Sequence, residues 1–122
     1  MKGVLRLRDR IAVHVTRERR RVIEIDDIYF LEADGPGTLV RTRSRERFRD
    51  TRSLGEILDL LGRKAGFLRI HRNHAVNLRR IVELRIRRRG PDWEVKLAPP
   101  VNRLLPVGRT ALASLRAALG DE

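Results

Sequence analysis

Apolar and polar positions alternate along most of this chain, and the alternation predicts strands. Ile11-Ala12-Val13-His14-Val15 reads as one strand, Arg17-Glu18-Arg19-Arg20 as a charged turn, and Val22, Ile23 and Ile25 as the returning partner. Ile28-Tyr29-Phe30-Leu31-Glu32-Ala33 is a nearly continuous apolar run, as expected of a buried strand. Asp34-Gly35-Pro36-Gly37 is a turn, followed by strands over 38–43 and 47–49. Ser53-Leu54-Gly55-Glu56 is a capping box, and Leu54, Ile57, Leu58 and Leu61 form one helical stripe that Gly62 and Gly66 end. The stretch 67–78 opens as a strand (Phe67, Leu68, Ile70), breaks into the polar run His71-Arg72-Asn73-His74, and resumes with Ala75-Val76. Strands follow at 81–87, 93–97 and 103–107, the last on an edge because Pro106 cannot donate to a central ladder. Arg109 opens a final helix with Leu112, Leu115 and Leu119 on its inner face. Val4, Leu5 and Leu7 add a possible edge strand. The pattern therefore describes a mainly β domain of roughly eight to ten short strands and two short helices.

Composition changes that picture in one respect. The 122 residues carry a formal charge of +12, and every cation except Lys2, Lys64 and Lys96 is arginine. A balance this basic points to a polyanion, because Arg and Lys release condensed counterions when they neutralise phosphates. Arginine also makes forked bonds to phosphate and guanine that lysine cannot copy. A genome that writes Arg for Lys would explain the ratio of the two but not the net excess. There is no cysteine and hence no disulfide or thiolate metal site. No apolar run approaches the roughly 18 residues of a membrane span, and Met1 to Arg6 lacks the apolar core of a signal peptide. The expectation is a single cytoplasmic domain over residues 1–122, with its core at about 10–119.

The inventory of chemistry argues against an enzyme. His14, His71 and His74 do not form an H-x-x-x-H or H-E-x-x-H spacing, and no Ser or Thr occupies a nucleophile elbow. Asp26-Asp27 has no third carboxylate or His nearby in sequence and reads as turn chemistry. No cofactor or metal is expected. The helix-turn-helix pattern fails, since some forty residues of strands and turns separate the helices. Stacking platforms for RNA need exposed aromatics, whereas Phe30, Phe48, Phe67 and Trp93 lie in apolar contexts. Duplex DNA read by polar loops on a β scaffold survives these exclusions. A basic β-rich module for RNA or a ribonucleoprotein, without enzymatic activity, is the alternative, and a protein–protein module is the third reading.

Taken in order, several motifs resemble the LytTR family of bacterial DNA-binding domains. They are Ile25-Asp26-Asp27-Ile28 with Phe30-Leu31-Glu32-Ala33, the Ser53-Leu54 helix start, Phe67-Leu68-Arg69-Ile70-His71-Arg72-Asn73 with Val76-Asn77-Leu78, and Leu105-Pro106-Val107-Gly108-Arg109. The resemblance covers about residues 10–119. It implies an elongated antiparallel β domain of ten strands that inserts loops into successive grooves of promoter DNA, typically as a dimer on direct repeats. It implies one contact loop at His71-Arg72-Asn73, a phosphate contact at Arg69, a base contact at Arg109 and a third loop at residues 35–39 with Thr38 as its reader. Asn77 matches a family position as well, but its place after an apolar pair reads as a turn cap. The sequence departs from the family at Asn73 and Gly108, where Ser is usual, and at Gly35-Pro36-Gly37, where Asn-Tyr is frequent. The family's module commonly follows a phosphoacceptor receiver domain, for which 122 residues leave no room. An excised output domain and a stand-alone regulator both fit, with a sensor kinase, receiver domain or membrane regulator as the implied partner.

Overall fold

A computed structural model describes residues 9–62 and 65–121; the expected strand at Val4, Leu5 and Leu7 lies outside them. Ten strands and two helices follow one another: β1 (Arg10–His14), β2 (Arg20–Glu24), β3 (Ile28–Asp34), β4 (Gly37–Thr42), β5 (Arg47–Asp50), α1 (Leu54–Leu61), β6 (Phe67–His71), β7 (His74–Asn77), β8 (Ile81–Ile86), β9 (Trp93–Leu97), β10 (Leu104–Val107) and α2 (Leu112–Ala118). All pairings are antiparallel. They build a five-stranded sheet in the order β5-β4-β3-β7-β6, a three-stranded sheet β10-β9-β8, and the β1-β2 hairpin. This is the mainly β architecture that the alternation predicts.

The continuous apolar run at 28–31 has a direct cause, because the central strand β3 is covered on both faces. Leu31 packs with Ile11 and Val13 of β1, Val40 of β4, and Leu54 and Ile57 of α1. Tyr29 and Phe30 join Ile70, Val76, Val95, Leu105 and Leu115 in a second core, under the three-stranded sheet and α2. A bulge between Ile28 and Phe30 turns two successive aromatic rings to that side. The Tyr29 hydroxyl, fully buried, donates to the Pro99 carbonyl at 3.0 Å and so ties the two layers together.

Local chemistry agrees with the pattern at three further points. Pro106 sits in β10, an edge strand. Asn77 is fully buried; its side-chain oxygen accepts from the Arg79 N–H at 3.1 Å and its amide donates to the Ile28 carbonyl at 3.0 Å, so it does cap the turn. In α1 the Ser53 Oγ accepts from Glu56 N at 3.2 Å while the Glu56 carboxylate accepts from Ser53 N at 2.9 Å. Ser53→Ala breaks the first of these bonds and is expected to cost about 1 kcal/mol in denaturant unfolding. A loss below about 0.3 kcal/mol would mean that solvent replaces the cap fully.

Candidate nucleic-acid interface

The polar run that interrupts 67–78 folds as a two-residue turn, Arg72-Asn73, closing the β6–β7 hairpin with His71 opposite His74. Three bonds hold it without any ligand. Arg69 donates to the Arg72 carbonyl at 2.6 Å. The Asn73 N–H donates to His71 Nδ1 at 3.1 Å, and the Asn73 carbonyl accepts from Ala33 N at 2.8 Å. The Asn73 bond makes His71 Nδ1 an acceptor, which puts the ring proton on Nε2 as a donor. Arg72 and Asn73 themselves are exposed.

The loop after β10 arrives at the same place. The Gly108 N–H donates to the Ile70 carbonyl at 2.6 Å, which sets Gly108 against the backbone of His71. Arg69, His71 and Arg72 face Thr110 and Ser114 across one open groove. Arg109 stands out from this junction with its side chain 83% exposed, its Nε 3.5 Å from the Asp92 carboxylate in the β8–β9 turn. Such an exposed pair contributes little to stability, and among the described residues the two terminal nitrogens of the fork have no hydrogen-bond partner. Five of the six expected contact residues (Arg69, His71, Arg72, Asn73 and Arg109) therefore gather at one end of the molecule.

Thr38 does not join them. It is fully buried, and its hydroxyl donates to the Arg52 carbonyl at 2.9 Å. The reason is strand phase: Thr38, Val40 and Thr42 all point into the core beside α1, while Leu39 and Arg41 take the other face. The β3–β4 turn lies beside Asn73, but its exposed residues, Asp34, Gly35 and Pro36, bring no free side-chain donor. Asp34 is taken up by Arg49, which bonds its carboxylate and its carbonyl at 2.9 Å each. Gly35 adopts a φ of +58°, and a Cβ on Gly37 would fall 2.5 Å from the Asp50 carbonyl oxygen, so both glycines are required by the turn itself.

His74 is a structural residue. Its Nε2 lies 3.2 Å from the Glu32 carboxylate, and its buried Nδ1 has no partner among the described residues. Burial pushes its pKa down, with His71 and Arg103 adding to the effect and Glu32 opposing it. The ring is thus neutral at neutral pH and adds no cation to the interface. Among the described residues no group of three or more His, Asp or Glu side chains converges as a metal site. No helix among them is long and apolar enough to cross a membrane.

Three residues beside these loops escape a reading of the sequence. Thr110, in the turn before α2, and Ser114, in its first turn, line the groove opposite the hairpin. Asp92 meets Arg109 only through the tertiary structure, and no local pattern announces it.

Comparison with known proteins agrees with this fold. The family model of the LytTr DNA-binding domain matches residues 18–120. A solved structure of the LytTr DNA-binding domain of a Bacillus cereus response regulator superposes with a TM-score of 0.73 at 20% identity, covering 92% of this chain and 97% of that one. A search of curated protein sequences finds no match. The match of the family model across residues 18–120 places the chain in the LytTR family of DNA-binding domains.

Proposed function

We propose that this domain is a sequence-specific, double-stranded DNA-binding module of a transcription regulator, with residues 10–119 acting as one unit. The observation that carries the reading is the Gly108–Ile70 backbone bond, which fastens Arg109 beside the turn His71-Arg72-Asn73. Two loops held this close form one probe for a groove of promoter DNA. Arg109 offers its fork to guanine O6 and N7. Arg72, Asn73 and the His71 Nε2–H supply donors to phosphates or base edges. Arg69 spends one N–H on the Arg72 carbonyl and keeps the rest of its guanidinium for a phosphate. Thr38 supports the fold and contacts no base. By analogy with the family, two copies bind direct repeats and receive their signal from a receiver domain, a sensor kinase or a membrane regulator. No step of this function needs a cofactor or catalysis.

Buried rings weigh against the RNA alternative. Phe30 and Phe67 are core residues, and Arg21 and Arg116 lie over the rings of Phe48 and Trp93, so no open stacking platform is formed by them. Selection of bound duplexes from a random pool at about 150 mM salt tests the reading. One enriched motif, bound about 10³-fold or more above scrambled DNA, is expected. Equal binding of all duplexes, or preference for a structured RNA competitor, would overturn it.

A further inference from the structure

On the face of the five-stranded sheet opposite α1, the half formed by β4 and β5 carries an arginine cluster that the fold does not explain. Arg41 and Arg47 stand directly opposite one another on β4 and β5, a register in which like charges destabilise a sheet. The Nε of Arg41 is buried with no hydrogen-bond partner among the described residues. Arg103 reaches over from the β9–β10 loop, its guanidinium 5.3 Å from the Phe30 ring centre. All three line one small recess with Glu32 and Leu39. Glu32 is the recess's single acid, and its Oε2 already faces His74. Several arginines elsewhere pair with acids, as in Arg49–Asp34, Arg52–Asp50, Arg80–Asp26 and Arg85–Glu94. Among the described residues Arg41, Arg47 and Arg103 have none.

We propose that Arg41, Arg47 and Arg103 form a second phosphate-binding site, which takes a backbone phosphate of the DNA flanking the segment read by the loops. Three arginines lining one recess suit a tetrahedral oxyanion, whose oxygens accept forked bonds and relieve the mutual repulsion. Position selects the DNA backbone as its source. Arg41 lies four residues along β4 from Gly37, which is about 13 Å from the loop end at about 3.3 Å per residue. The major groove is about 8.5 Å deep, so phosphates at the rim of a groove entered by the loops come within reach of side chains set back by that distance. The site rests on the reading that the loop end seats on DNA.

The test uses the full chain as the Arg47→Gln/Arg103→Gln double variant, which leaves the half-buried Arg41 in place. Affinity is measured across a salt series for a long duplex and for one trimmed to the segment contacted by the loops. On the long duplex the variant is expected to bind about 10-fold more weakly, with a log K against log [salt] slope shallower by about 0.9, the value for one phosphate. On the trimmed duplex it matches the wild type. The Arg47→Gln single variant has an equal or higher melting temperature, because the Arg41–Arg47 repulsion is gone; a structural role would lower it. An unchanged slope, or an equal loss on both duplexes, overturns the site. So does wild-type binding of inorganic phosphate that the variant abolishes without any change in DNA slope, which would assign a free anion instead. Absence of sequence preference in the wild type would overturn the promoter reading and is scored separately, since the slope difference does not depend on it.

Discussion

Arg52→Ala is expected to destabilise the domain by about 3–5 kcal/mol, the cost of leaving a buried charge without its partner. Asp50 is fully buried. Its carboxylate accepts from Arg52 Nε at 3.0 Å and NH2 at 2.8 Å, and from the backbone N–H groups of Arg52 at 2.8 Å and His14 at 2.9 Å. The same guanidinium donates to the Ala12 carbonyl at 2.8 Å, so it fastens β1 to the end of β5. Domains of this size hold about 5–15 kcal/mol in total, and the loss corresponds to a fall in Tm of roughly 10–20 °C. The double variant Asp50→Ala/Arg52→Ala is expected to be less damaged than the sum of the single ones, because it leaves no orphaned charge. A loss below about 1 kcal/mol for Arg52→Ala would reduce the pair to an ordinary surface contact.

The same pair sets an acid limb. Burial pushes the Asp50 carboxyl up, but the Arg52 side chain and the two backbone N–H groups outweigh it and hold the carboxyl below its ordinary 3.8. A group whose folded pKa is depressed contributes stability that is in place above its unfolded value and is lost as pH falls through the folded one. Stability is therefore expected to decline as pH drops below about 4, and the acid midpoint to move up in Arg52→Ala. His74 acts in the same direction earlier. Its pKa is lowered by burial, so the fold begins to lose stability as pH falls below 6.5, the ordinary histidine value. Circular dichroism from pH 8 to 2 reads both limbs.

Arg109→Ala is expected to weaken binding to the preferred duplex by about 1–3 kcal/mol, a factor of about 5–150, and to relax the preference at one base pair. The side chain is 83% exposed, so the variant keeps its fold and the loss belongs to the interface. Arg109→Lys is expected to recover attraction to phosphates without recovering the base preference, since a lysine ammonium does not copy the fork. Binding curves against a panel of single base-pair changes separate these effects. A uniform loss across the panel, with the preference intact, would make Arg109 a phosphate contact and pass base reading to Arg72 and Asn73.

Which features were readable in advance follows the range of the forces involved. The α1 helix rests on a capping box and one apolar stripe, all within nine residues, and it forms where that local chemistry places it. The unbroken apolar run of β3 announces burial on both faces, and Pro106 confines β10 to an edge. Thr38 went the other way. Residues 38–42 place Thr38, Val40 and Thr42 on one phase of the alternation and Leu39 and Arg41 on the other, so each phase holds an apolar residue and local sequence does not say which turns inward. Pairing of β4 between β3 and β5, with Val40 under α1, decides it and buries the hydroxyl.

The interface divides along the same line. By itself the sequence determined a basic, mainly β domain, the ordered motifs of its family and a polar run at residues 71–74, because periodicity, charge and turn chemistry act over a few residues. It did not determine that Arg109 stands beside His71, thirty-eight positions earlier. That neighbourhood depends on how β10 lies against β6, which the second core and the Gly108–Ile70 bond establish. Nor does any local pattern bring Arg103 to Arg41 and Arg47. Only the packing of two sheets on a shared strand decided that three cations surround one recess, since contacts between distant segments are made by the assembled core and not by neighbours in the chain.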